Sequence, residues 1–161
     1  RSGEHVVLRG TVKTLRVDGL DGGAILDASG LRVESASVAG KIDGRSVFKL
    51  NAPGGAVMVS ASVAGKSSVD IKAPGGSVRF LSDRARIEGG STVAITARNV
   101  ELRGDVNGIA TKVAVNIPGN GSLKVAAIRG LAKVEYRVTG DGMPEVIAST
   151  VSPTATFHRL D

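Results

Sequence analysis

Apolar residues alternate with polar or small ones through much of the chain. Val57, Val59, Ala61 and Val63 are separated by single residues, and so are Val69, Ile71 and Ala73. A period of two puts such residues on one face of an extended strand, so these runs are predicted to be short β-strands with one buried face. No stretch sustains helical spacing, and the frequent Gly and Pro would interrupt any helix longer than two turns. The chain is predicted to be all-β.

The alternation is itself repeated. Leu50-Asn51-Ala52-Pro53-Gly54-Gly55-Ala56-Val57 matches Ile71-Lys72-Ala73-Pro74-Gly75-Gly76-Ser77-Val78 at an offset of 21 residues. Weaker copies begin at Leu26, Ile95, Val115 and Tyr136, and Ala36-Ser37-Val38-Ala39-Gly40-Lys41 returns as Ala61-Ser62-Val63-Ala64-Gly65-Lys66 at an offset of 25. Repeats of this length and variability are a solenoid signature, in which each turn buries its apolar face against the next. The expected fold is a single-stranded right-handed parallel β-helix of about six turns of roughly 20–24 residues, forming one domain over residues 1–161. Residues 1–11 and 145–161 are the candidate end caps. A β-sandwich or hairpin meander also uses short strands and Gly-rich turns, but near-constant repeat length favours the solenoid.

Stacked turns place like on like. The expected inward ladders are Leu31, Val57, Val78, Val100 and Leu123; Val33, Val59, Phe80, Leu102 and Val125; and Leu26, Leu50, Ile71, Ile95, Val115 and Tyr136. A charge at the centre, as in Ile71→Asp, is expected to unfold the stack. Pro53 and Pro74 fix φ at one corner and donate no ladder hydrogen bond, so that corner is expected to lie outside the paired strands.

Composition agrees with this. Hydrophobic residues are 42% of the chain, enough for a core, yet they are mostly Val, Ala, Ile and Leu, with three Phe, one Tyr and no Trp beside 22 Gly. No apolar run is long enough to span a bilayer. The absence of cysteine removes disulfides and thiolate sites. The chain opens on Arg1-Ser2-Gly3, which reads as a piece of something longer. A formal charge of +6 permits attraction to an acidic polymer.

Candidate chemistry is sparse. Gly65-Lys66-Ser67 resembles the end of a phosphate-binding loop, but Ser60 stands where that loop needs glycine and the chain continues into a strand, so a turn is expected. Asp18-Gly19-Leu20-Asp21-Gly22-Gly23 meets neither the EF-hand nor the calcium nonapeptide spacing. His5 and His158 are expected about 25 Å apart across the stack. Asp43, Asp70, Glu88, Glu101 and Asp105 fall on different turns, and none is singled out as one of the paired carboxylates of a glycosidase. Too few aromatics are present for stacking on single-stranded nucleic acid. Thr92, Thr96 and Thr111 form no regular array, and Asn120-Gly121-Ser122 reads as a turn. No catalytic, cofactor-binding or metal-binding residue is assigned.

The Val/Ile strands, Gly40-Lys41-Ile42-Asp43-Gly44 and Arg103-Gly104-Asp105-Val106-Asn107-Gly108 resemble bacterial β-helix repeats of the bactofilin and adhesin kinds. That resemblance implies a cytoskeletal or surface scaffold, or an accessory region of a larger bacterial protein, that associates end to end and carries no cofactor. The longer repeat and the Ala-Pro-Gly-Gly corners differ from bactofilins. The expectation is a non-catalytic structural or interaction module with a protein partner or self-association through the solenoid ends, no specific nucleic acid and no membrane span. The alternative is a β-helix that binds or cleaves an acidic polysaccharide, gripping it with outward Arg32, Arg79 and Lys124.

Overall fold

The structure, a computed structural model, describes residues 3–161; Arg1 and Ser2 lie outside it. Its described residues form eleven strands and no helix: β1 (His5–Val17), β2 (Ile25–Val38), β3 (Val47–Asn51), β4 (Ala56–Val59), β5 (Ser68–Phe80), β6 (Thr92–Asn107), β7 (Lys112–Pro118), β8 (Ser122–Arg129), β9 (Lys133–Thr139), β10 (Glu145–Val151) and β11 (Thr156–Arg159). Every pairing is parallel, and each joins equivalent positions of successive turns. The chain is thus a parallel β-solenoid of about 7 turns.

Three ladders run down its axis. On the first face Leu26, Phe48, Val69, Val93, Val113, Val134 and Phe157 stack in succession. On the second the order is Leu15, Ala36, Val57, Val78, Val100, Leu123 and Val146. The third is held by narrow bridges through Leu20, Ile42, Val63, Ile87 and Val106, and continues to Ile128 and Val151. Outward side chains alternate with these, so the period of two in the sequence becomes a single apolar core enclosed by three walls.

The seventh turn is the first in chain order, formed by β1, where the count of six began at Leu26. The segments expected as caps extend the ladders: β1 pairs along its length with β2, β10 with β8, and β11 with β9. Two register expectations are corrected. Leu31 and Val33 are buried, but they pair with Gly10 and Val12 at a corner, and Ala36 and Val38 occupy the rungs above Val57 and Val59. Leu50 stacks under Ala28, whereas Leu26 stacks on Phe48. The cause is corner length: the chain takes eight residues from Ala28 to Ala36 but five from Ile95 to Val100 to reach the second face.

The Pro-Gly-Gly corner is also more paired than expected. In the third turn Pro53 to Gly55 lie between β3 and β4, yet in the fourth the strand β5 runs through Pro74, Gly75 and Gly76. Gly75 N–H donates to the Pro53 carbonyl at 2.8 Å and Ser77 N–H to that of Gly55 at 3.0 Å, so the neighbours of each proline carry the ladder past it. A Cβ on Gly76 would lie 1.8 Å from the Gly55 carbonyl oxygen, which is why only glycine passes there.

A second corner repeats more regularly than the first. Leu20-Asp21-Gly22-Gly23-Ala24, Ile42-Asp43-Gly44-Arg45-Ser46, Val63-Ala64-Gly65-Lys66-Ser67 and Ile87-Glu88-Gly89-Gly90-Ser91 share a spacing. In each, two successive residues have positive φ: 67° and 65° at Gly44 and Arg45, 63° and 59° at Gly65 and Lys66. Ser46, Ser67, Ser91 and Thr111 are buried at this corner. Ser67 Oγ accepts from Ser46 N–H and Ser91 Oγ from Ser67 N–H, each at 3.2 Å, and Thr111 Oγ1 accepts from Gly90 N–H at 3.1 Å. These hydroxyls satisfy amides that the tight turn removes from water.

Candidate functional surface

The residues singled out in the sequence are dispersed by this geometry. Gly65-Lys66-Ser67 is one of the stacked turns just described, with Ser67 buried rather than offered to a ligand. Asp21 and Asp43 accept at 2.6 Å from the next residue's N–H, Gly22 and Gly44, as turn-forming side chains do. His5 and His158 sit on the first and eighth rungs of the first face, about 34 Å apart at 4.8 Å per step rather than 25 Å. Among the described residues no three His, Asp or Glu side chains converge to hold a metal ion, and no helix is long and apolar enough to cross a membrane. Asn120 is exposed at a corner and its Oδ1 accepts from Met143 N–H at 2.7 Å.

The outward column of the second face reads Arg16, Ser37, Met58, Arg79, Glu101, Lys124 and Ile147, four of them charged. Arg32 is not in it; it pairs with Thr11 at the corner. Glu101 lies 2.8 Å from Arg103 and 3.9 Å from Arg79, and Lys124 lies 3.7 Å from Glu145. Much of the positive charge expected to grip an acidic polymer here is therefore already paired.

The first face has a different relief. Its central outward column reads Asp27, Lys49, Asp70, Ala94, Ala114, Glu135 and His158 from rung to rung. Side chains of several heavy atoms stand above and below two methyl groups, leaving a groove of about 330 Å³. Thr96, Asn116 and Arg137, one above another in the next column, form its wall. Glu135 closes one end, and Leu160, whose N–H donates to the Tyr136 carbonyl at 2.7 Å, lies beside it.

Among the described residues Glu135 is the one buried carboxylate, 8% exposed although it is on the outer surface. Lys133 Nζ stands 3.2 Å away, Lys112 Nζ 3.4 Å and His158 Nε2 4.0 Å. The Lys133 ammonium, above all, holds its carboxyl below the ordinary glutamate range, with Lys112 assisting against the opposing effect of burial. Asp27 is lowered too, by hydrogen bonds from the Ser29 hydroxyl and N–H. Arg137 has no ion-pair partner among the described residues. Sequence reasoning missed this group. Its one visible signal is the alternation Lys133-Val134-Glu135-Tyr136-Arg137, which puts Lys133, Glu135 and Arg137 on one outer face.

The fold defines the chain as a parallel β-solenoid with an outer groove. No family model, curated protein or solved structure matches it.

Proposed function

We propose that this chain is a non-catalytic structural or interaction module, an accessory β-solenoid of a larger bacterial protein that works through its ends and associates end to end. The observation that supports this is the state of the terminal rungs. β1, 13 residues long, has a strand partner on one side alone among the described residues, and so do β10 and β11. Val6 and Val7 of β1 are exposed, and Leu8, Leu15 and Leu20 are partly covered. Val6, Leu8, Leu15, Leu20, Ala24 and Leu26 line a cavity of about 330 Å³ at that end of the core, rimmed by Glu4, Arg16 and Asp18. Unpaired edges beside uncovered apolar surface favour association with another strand-bearing surface. A second copy offers parallel strands at the same spacing. Sedimentation velocity over a range of protein concentration, with electron microscopy of the same samples, tests this. Growth with concentration is expected; an unchanging monomer refutes self-association.

A second reading is binding of an acidic polysaccharide on an outer face, favoured by the groove on the first face with its uncommitted Arg137.

A further inference from the structure

We propose that the groove over Ala94 and Ala114 is a subsite for a uronic acid residue of an acidic polysaccharide, an inference that rests on the second reading above. The floor is the first reason. Two methyl groups one rung apart, about 4.8 Å, make a small apolar platform of the kind on which the C–H face of a pyranose ring can lie. The volume of about 330 Å³ is at the lower end of small-ligand pockets.

The polar groups that line that floor are those a uronate needs; Asp70, one rung beyond Ala94, is not among them. Thr96 supplies a hydroxyl. Asn116 supplies amide N–H donors, since its Oδ1 accepts a 3.4 Å hydrogen bond from the Thr139 hydroxyl. Glu135 is an ionised acceptor for sugar hydroxyls. Two ammonium groups already neutralise it, so it does not drive an incoming carboxylate away. Arg137 provides a forked donor for that carboxylate. Neutral sugar would leave Arg137 without a counter-ion, and a nucleic acid would find no aromatic ring on which to stack a base.

The test is heteronuclear NMR titration with trigalacturonate at low salt. Amide shifts should cluster at Ala94–Thr96, Ala114–Asn116 and Glu135–Arg137. Arg137→Gln should weaken binding about tenfold or more, the usual effect of deleting a charge-assisted hydrogen bond. Ala114→Leu should abolish binding by filling the floor, with thermal unfolding as the control for an intact fold. Arg79→Gln/Arg103→Gln, on another face, should leave affinity unchanged.

Three outcomes overturn the proposal differently. If no residue shifts at low salt, the groove and the acidic-polysaccharide reading fall together. If binding survives both groove substitutions but is lost in the Arg79/Arg103 variant, the polysaccharide reading stands and the groove is wrong. If triglutamate shifts the same amides with equal affinity, the groove recognises negative charge and not a sugar.

Discussion

Ile71 is fully buried, stacked between Leu50 above and Ile95 below on the fourth of the seven turns. Truncation to alanine removes three carbons from a site walled on both sides by ladder neighbours that hydrogen bonds hold in place, so little collapse can fill the space. The expected cost is about 3.5 kcal/mol, mid-range for buried Ile→Ala changes. Leu15, in the first turn, stacks on Ala36 alone and is only partly buried. Its replacement by alanine should cost roughly 1.5 kcal/mol, because half of its surroundings are already water. Urea unfolding followed by far-UV circular dichroism, analysed with a common slope, gives both numbers. In a linear array each turn draws stability from its neighbours, so a central loss should exceed a terminal one by about 2 kcal/mol. Equal losses at the two positions, or a loss at Ile71 below about 1 kcal/mol, would refute the reasoning that stacking on both sides sets the local stability.

Gly76→Ala should destabilise the fold by about 2 kcal/mol in the same assay, because the new methyl meets the Gly55 carbonyl of the turn before it. Lys66→Gly should raise the unfolding midpoint, stabilising by about 0.5–1 kcal/mol through relief of a non-glycine residue held at a φ of 59°; an unchanged or lowered midpoint contradicts the turn geometry. Glu135→Gln tests electrostatics. The folded-state pKa of Glu135 is depressed, so its ion pairs stabilise the protein above the unfolded glutamate pKa, and that contribution is lost as pH falls through the lower folded value. The variant should therefore be less stable than the parent at neutral pH, and the two should converge as the solution is acidified below the ordinary glutamate range. A gap that persists at low pH would mean packing, not charge, is what Glu135 supplies.

The sequence by itself determined the architecture. Alternation at period two requires strands with one buried face, and its recurrence every 20 or so residues favours closing that face by stacking equivalent strands over a sandwich or meander. The fates of Leu50, Ile71, Val57 and Val78 follow from this, since the Ala-Pro-Gly-Gly pair aligns the third and fourth turns without ambiguity. Register elsewhere was decided by the folded chain. Corners of different length connect one wall to the next, so a fixed offset misplaces residues: Leu31 and Arg32 fall within the long corner between Ala28 and Ala36, and Leu26 pairs with Phe48, 22 residues on, and not with Leu50. The groove is a tertiary fact for the same reason. Ala94, Ala114 and Glu135 each read as an ordinary outward position within its own strand. They become a floor and its end wall only because residues about 20 apart in the chain are brought one hydrogen-bonded rung apart. Likewise, the burial of Glu135 comes from Lys112 of the turn before it and His158 of the rung after it, neighbours that no local pattern could supply.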